Sequence, residues 1–115
     1  MKQGEIWSVD LDPTQGAEIR KTRPVIIVND DALGRLPLKV VVPLTEWKDR
    51  YAQAPWMVRV DADQRTRLSK PSAADCFQVR SISEMRFVAR IGTIDGDTMG
   101  DVRTALAAVL SIPIG

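Results

Sequence analysis

A chain of 115 residues, 44% hydrophobic and 27% charged, carries enough apolar content for one core and the length of one domain over residues 1–115. It has no histidine, which removes the Ser-His-Asp and Cys-His triads, the histidine pair of many ribonucleases and histidine zinc sites, and its single Cys76 excludes an internal disulfide. With 16 basic and 15 acidic residues the net charge is +1, so no global basic field draws in polyanions and any nucleic-acid site is a local patch. No apolar run approaches the ~20 residues that cross a bilayer, and Met1 to Gly4 lead into a strand pattern rather than a signal peptide, so a cytoplasmic protein is expected.

In chain order, Ile6, Trp7, Val9 and Leu11 form a first β-type run, broken by Pro13 and Gly16. A polar loop with Glu18, Arg20, Lys21, Thr22 and Arg23 follows, its shape and charge suited to touching an anion. Val25 to Val28 is a continuous apolar strand, which calls for burial on both faces. Pro24 steers Arg23 into an extended conformation at the mouth of that strand. Asn29 to Gly34 reads as a turn or short helical excursion closed by the glycine. Lys39 to Leu44 is the third strand, and Pro43 places it at a sheet edge or marks its end, freeing Thr45 to project from the loop mouth.

Residues 46–55 are a polar connection with Trp47 and Tyr51, and Trp56 to Val60 alternates as another strand. Asp61 to Ser72 lacks apolar periodicity, holds Arg65, Arg67 and Lys70, and reads as a mobile surface loop. One β run covers Ala73 to Ile82, with Cys76 as a small core residue, and Phe87 to Ile94 is the last strand. Met99, Val102, Leu106, Val109 and Leu110 recur at helical spacing in an amphipathic C-terminal helix stopped by Pro113. Asp95, Asp97 and Asp101 suit the N-terminus of that helix better than a metal site, since no fourth ligand is evident. Six or so short antiparallel strands and one helix make a mainly β domain, a small partly open barrel.

The stretch from Gly4 to Asp30 combines Gly4-Glu5-Ile6-Trp7, the pattern D-x-D-P-T-x-G-x-E from Asp10 to Glu18, and Lys21-Thr22-Arg23-Pro24-Val25. In this order these runs resemble the N-terminal signature of the MazF/PemK family of toxin endoribonucleases. Fainter echoes follow at Val42-Pro43-Leu44-Thr45, at Ser72, and at Gln78-Val79-Arg80-Ser81-Ile82. The likeness is firmest over residues 4–30 and thin over 31–39 and 46–60. It implies an SH3-like barrel shared with the gyrase poison CcdB, a homodimer, and a cognate antitoxin whose acidic or hydrophobic tail folds onto the basic groove. It also implies metal-independent, sequence-selective cleavage of single-stranded mRNA, with no cofactor, leaving cyclic phosphate and 5'-hydroxyl ends.

Such cleavage uses the ribose 2'-hydroxyl as internal nucleophile and leaves the protein three tasks: deprotonating it, stabilising the phosphorane, and protonating the departing oxygen. The planar fork of Arg23 suits the second, holding two nonbridging oxygens at once. Read without the resemblance, a surface salt bridge to Glu18 would account for Arg23 as well. Thr45, in Pro-Leu-Thr, resembles the family's catalytic threonine, its hydroxyl a donor to the phosphorane; alone it would be a turn residue. Arginine stays protonated far above neutral pH, so Arg23 is a clamp that could also return a proton rather than an ordinary base. Glu18 is the ordinary alternative, but nearby cations lower a carboxylate's basicity, and the base stays unassigned.

Arg20 and Lys21 add local positive charge beside Arg23. Ser72 and Gln78 match positions where the family contacts RNA; inside a strand, Gln78 could equally serve an inter-strand role. Arg80 supports the site or pairs with a carboxylate. Of the tryptophans, Trp47 on a loop is the stacking candidate and Trp7 belongs to packing. Ile19 and Arg20-Lys21-Thr22 depart from the polar and small residues usual there, so cut-site preference could differ. Two rivals remain, a CcdB-like gyrase-binding toxin, disfavoured because the chain lacks a tryptophan near its end, and a non-enzymatic RNA-binding module.

Overall fold

Seven antiparallel strands and one helix carry the chain in the computed structural model, which describes residues 1–113. The strands are β1 (Glu5–Asp10), β2 (Thr22–Ile27), β3 (Leu38–Glu46), β4 (Met57–Val60), β5 (Ser72–Asp75), β6 (Arg80–Ser83) and β7 (Phe87–Thr93), followed by α1 (Gly96–Leu110). Their spatial order is β4-β5-β3-β2-β1-β7, with β6 added beside β3. The sheet curls without closing, since β4 and β7 are opposite edges. Mainly β architecture with a C-terminal helix is thus what the alternating runs predict.

Period-two alternation splits the apolar residues between two cores. Ile6, Ile26, Val42 and Leu44 point to one side, where they meet Met99, Val102 and Ala105 of α1. Val9, Val25, Ile27 and Val41 point to the other, with Trp7, Ile19 and Phe87 closing over them. This is why the run from Val25 to Ile27 is fully buried: each face of β2 has a core of its own. Each such side chain removed from water contributes about 1.5–3 kcal/mol, and truncating one to alanine costs about 2–5 kcal/mol. Cys76 lies in the first core, and burial, helped by the charge of Asp75, pushes its thiol up to about 12.

Four local expectations are corrected. Pro43 is not at an edge: β3 lies between β2 on one side and β5 and β6 on the other. The Val28 amide donates to Val40 O at 2.9 Å, which sets the even-numbered residues of β3 facing β2. The nitrogen of Pro43 therefore faces the opposite side, in the gap where β6 has ended at Val41 and β5 begins at Leu44. No ladder hydrogen bond is lost there. The run from Ala73 to Ile82 is not one strand but β5, a 3-10 turn over Cys76–Gln78, and β6, because the Asp75 carboxylate accepts the Phe77 amide and turns the chain. Gln78 thus sits in a turn.

The loop from Asp61 to Ser72 is pinned rather than loose. Asp63 Oδ1 accepts from the Arg65 and Thr66 amides, and the buried Thr66 hydroxyl donates to Asp61 O at 2.7 Å. Finally, α1 ends before Pro113. Ser111 adopts the left-handed conformation at φ 56°, and the Ile112 amide donates back to Ala107 O at 2.9 Å. Leu110 is left exposed. At the other end Asp95 is the N-cap, its carboxylate accepting from the Thr98 amide at 2.8 Å, which holds Asp95 below the usual carboxylate range. Among the described residues Asp95, Asp97 and Asp101 do not gather with other metal-ligating side chains.

Candidate functional site

The loop between β1 and β2 is built by its own polar residues. Asp12 Oδ1 accepts the Lys21 amide at 3.1 Å, Leu11 N–H reaches Lys21 O at 3.0 Å, and Arg86 Nη1 donates to Asp12 O at 3.0 Å. Lys21 is left-handed at φ 70°, a conformation that lets the chain reverse into β2. At the tip, Glu18 Oε1 accepts the Gln15 amide at 2.8 Å. Arg23 then stands in the second position of β2, directly opposite Val9, in the extended conformation imposed by Pro24.

The β2–β3 register runs to Val25 opposite Pro43. Carried two positions further, it sets Arg23 across from Thr45, on the same face of the sheet. The two side chains line one cleft of about 200 Å³, with Pro24, Glu46, Lys70 and Ser72 around them. Arg23 is exposed, and its one hydrogen bond to a described residue runs from Nε to Arg20 O at 3.3 Å. The salt bridge to Glu18 does not form, and the two terminal nitrogens have no protein acceptor among the described residues. Thr45 is half-buried in β3, its backbone paired with Ala73, and its hydroxyl has no acceptor among the described residues. Ser72 is buried at the start of β5 and its Oγ donates to Lys70 O at 3.1 Å.

A second cleft, about 490 Å³, is lined by Glu18, Ile19, Pro43, Phe77, Gln78 and Arg80. Its polar groups are largely engaged. Gln78 Oε1 accepts the Ile19 amide at 2.7 Å, and Nε2 donates to Asp75 Oδ2 at 3.1 Å and to Ala17 O at 3.4 Å. One side chain thereby ties the β1–β2 loop to the sheet across 59 residues of sequence. Burial raises Asp75 above its ordinary carboxyl value, against the hydrogen bonds from Phe77 and Gln78 that lower it. Arg80, half-buried at the start of β6, forms no ion pair among the described residues.

The structure therefore gathers Arg23, Thr45 and Ser72 in one cleft and Glu18, Gln78 and Arg80 in its neighbour. Arg20, Lys21 and Trp47 line neither. Arg20 is exposed and donates to Gly16 O at 3.1 Å; Trp47 is half-buried, edge-on to Tyr51 at 6.0 Å, with the Arg59 guanidinium 5.3 Å above its ring. Trp7 packs edge-on against Phe87 at 5.7 Å with its indole N–H on Glu5. Asp75 and Lys70 were missed as site neighbours. The signal for Asp75 was legible, a carboxylate and an amide three residues apart inside an otherwise apolar run.

The family model described as PemK-like, MazF-like toxin of type II toxin-antitoxin system matches residues 2–110. The endoribonuclease MazF9 of Mycobacterium tuberculosis is 32% identical over 97% of this chain and 98% of its own length. Endoribonuclease PemK of Escherichia coli is 34% identical over 96% of this chain and 83% of its own. Among solved structures, MazF from Deinococcus radiodurans superposes with a TM-score of 0.80 at 19% identity, covering 97% of both chains. A mycobacterial endoribonuclease in complex with its cognate antitoxin gives 0.78 at 20% identity over 100% of this chain and 99% of that one. Neither the gyrase-binding rival nor the non-enzymatic RNA module is favoured by relatives of these kinds. With a family match over nearly its full length and two such relatives above 30% identity, the chain belongs to the PemK-like, MazF-like toxins of type II toxin-antitoxin systems.

Proposed function

We propose that this protein is the toxin of a toxin-antitoxin pair and cleaves single-stranded mRNA at selected sequences, with Arg23 and Thr45 as its catalytic residues. The observation that carries the reading is the shared cleft, where the two terminal nitrogens of a guanidinium and an alcohol from facing strands have no protein acceptor among the described residues. The 2'-hydroxyl oxygen attacks the adjacent phosphorus, the bond to the 5' oxygen breaks, and the products are a 2',3'-cyclic phosphate and a 5'-hydroxyl. The Arg23 fork binds two nonbridging oxygens as their charge grows, and the Thr45 hydroxyl donates to the same dianion. Strand positions suit this work, because rigid backbone keeps both donors aimed before substrate arrives. Ser72 and Lys70 border the scissile position.

In the neighbouring cleft Arg80, without an ion pair among the described residues, offers a second cation to the strand, while Gln78 positions the loop that carries Glu18, Arg20 and Lys21. Arg20, Lys21 and Trp47 form the outer rim available to bases and phosphates. The protein acts in the cytoplasm, as a homodimer, and is held inactive by an antitoxin segment that lies over these clefts. The same cleft serves either partner, since RNA and an acidic tail both present anions to Arg23.

The test is a long single-stranded RNA incubated with the protein in EDTA, beside a matched strand carrying 2'-deoxyribose at the cut site. Cleavage of the ribose strand alone, with cyclic phosphate ends, is expected. Equal cutting of both strands, or retention of RNA without products, would overturn the reading.

A further inference from the structure

The opening between the two sheet edges is bridged by the pinned loop that follows β4, and three arginines converge there. Arg65 and Arg67 from that loop and Arg90 from β7 line an open cleft of about 390 Å³, floored by Gly92 and Thr93. The family signature does not include this place, and neither Arg23 nor Thr45 reaches it. In a chain of net charge +1, three guanidinium groups around one cleft are a local concentration, not a consequence of overall basicity.

Their charge is poorly offset. Arg67 and Arg65 form no ion pair among the described residues, and Asp95 interacts with Arg65 only at longer range. Arg90 Nε lies 3.6 Å from Glu5 Oε2, but the other oxygen of that carboxylate serves the Trp7 indole at 2.9 Å and the Lys2 amide at 3.1 Å. Like charges held together repel unless an anion stands between them.

The cleft is also rigidly built. A Cβ on Gly92 would fall 2.3 Å from Thr66 O and 2.5 Å from Arg65 O, so the loop presses on β7 only because that residue is glycine. Thr93 N–H donates to Arg65 O at 3.0 Å, and Arg67 N–H to Asp63 O at 2.9 Å. Arg67 is held left-handed at φ 55°, an unfavourable conformation for a side chain of its kind.

Arg67 is followed on the same loop by Leu68, Ser69 and Lys70, which line the Arg23–Thr45 cleft. At 3.8 Å per residue, the Cα atoms of Arg67 and Lys70 are no more than about 11 Å apart. We propose that Arg65, Arg67 and Arg90 bind backbone phosphates of the RNA strand beyond the cut, so that one chain runs from the reacting phosphate over the loop into this cleft. Guanidinium forks match phosphate oxygens two at a time, and such contacts fix the register of a strand without reading its sequence. An acidic peptide is the weaker occupant, because Ile91 is the only large apolar side chain lining the cleft and a peptide would lack an anchoring pocket.

This proposal rests on the RNA-cleaving function above, and its test separates the two. RNAs of about 20 and about 6 nucleotides, each blocked by 2'-deoxyribose at the cut site, are titrated against the wild type and the R65Q/R67Q/R90Q variant at several salt concentrations. Losing two or three phosphate contacts lowers the salt slope for the long RNA by about 1.4 to 2 units. Affinity for the long RNA should fall at least about tenfold, and that for the short one by much less. The single variant R67G removes one cation while relieving the strained backbone. It should weaken long-RNA binding in the same direction while raising thermal stability. Unchanged affinity and slope for the long RNA overturn the proposal, even with cleavage intact; so does a loss seen only with a poly-glutamate peptide. A wild type that cuts no unblocked RNA sinks the parent function instead, a result read in a separate tube.

Discussion

The two clefts along β3 both hold polar side chains and use them in opposite ways. In the smaller, the terminal nitrogens of Arg23 and the Thr45 hydroxyl have no acceptor among the described residues. In the larger, Gln78 spends both ends of its amide on the Ile19 amide, Asp75 and Ala17. A group already satisfied by its own protein stabilises structure, whereas a rigidly held group without a partner is available to a substrate. Polar character alone does not separate the two cases, and the hydrogen-bond partners do.

Sharp differences between the clefts are expected on substitution. Arg23→Ala should give the largest effect, a fall in cleavage rate of roughly 1,000-fold or more, as for other guanidinium groups that stabilise a phosphoryl transition state. Its melting temperature should stay near wild type, since the side chain is exposed and makes a single long hydrogen bond to a described residue; a large loss of stability with modest loss of rate would reverse its assignment. For Thr45→Ala the rate should drop about 100- to 1,000-fold, again with the fold intact, and Thr45→Ser should recover most of it. A Thr45→Ala enzyme that cleaves at the wild-type rate removes the hydroxyl from the chemistry.

Gln78→Ala should invert that pattern. Removing the side-chain partner of the Ile19 amide and of Asp75 Oδ2 is expected to cost about 1–3 kcal/mol in denaturant unfolding, with cleavage at saturating RNA reduced by less than about tenfold through loosening of the loop. If stability is untouched and selectivity among RNA sequences changes instead, Gln78 reads bases rather than holding the loop.

The smallest effect concerns Asp75. Burial raises its folded value above the ordinary carboxyl 3.8, so the native state binds this proton more tightly than the unfolded chain. The resulting stability is complete below pH 3.8 and lost as pH climbs through the raised folded value. The melting temperature of wild type minus that of Asp75→Asn should therefore grow as the pH is lowered from 7 towards about 3.5. A difference that is flat, or that shrinks on acidification, would show that hydrogen bonds outweigh burial at this carboxylate.

Much of the fold was legible because it is local. The continuous apolar run from Val25 to Ile27, the cap at Asp95 and the helical spacing from Met99 to Leu106 each follow from the residues that form the element. Pro43 misled because a proline's meaning depends on which neighbour its missing N–H would face, and that neighbour arrives from residues about 30 to 40 positions later. The run from Ala73 to Ile82 misled because its apolar character hid the one carboxylate that turns it. The loop from Asp61 to Ser72 looked free because its anchors, Thr66 and Gly92, carry no apolar pattern.

By itself the sequence determined the class of the fold, the loop with its conformationally fixed Arg23, the exclusion of histidine chemistry and the family. Local geometry and chemical inventory are properties of short stretches, and a chain states them openly. Only the tertiary structure decided that Arg23 faces Thr45 while Glu18 lies next door, that Gln78 is a latch, and that three scattered arginines meet at the sheet's opening. Those facts depend on strand register and on which surfaces pack together, and both are settled by burial of the two cores across residues distant in the chain.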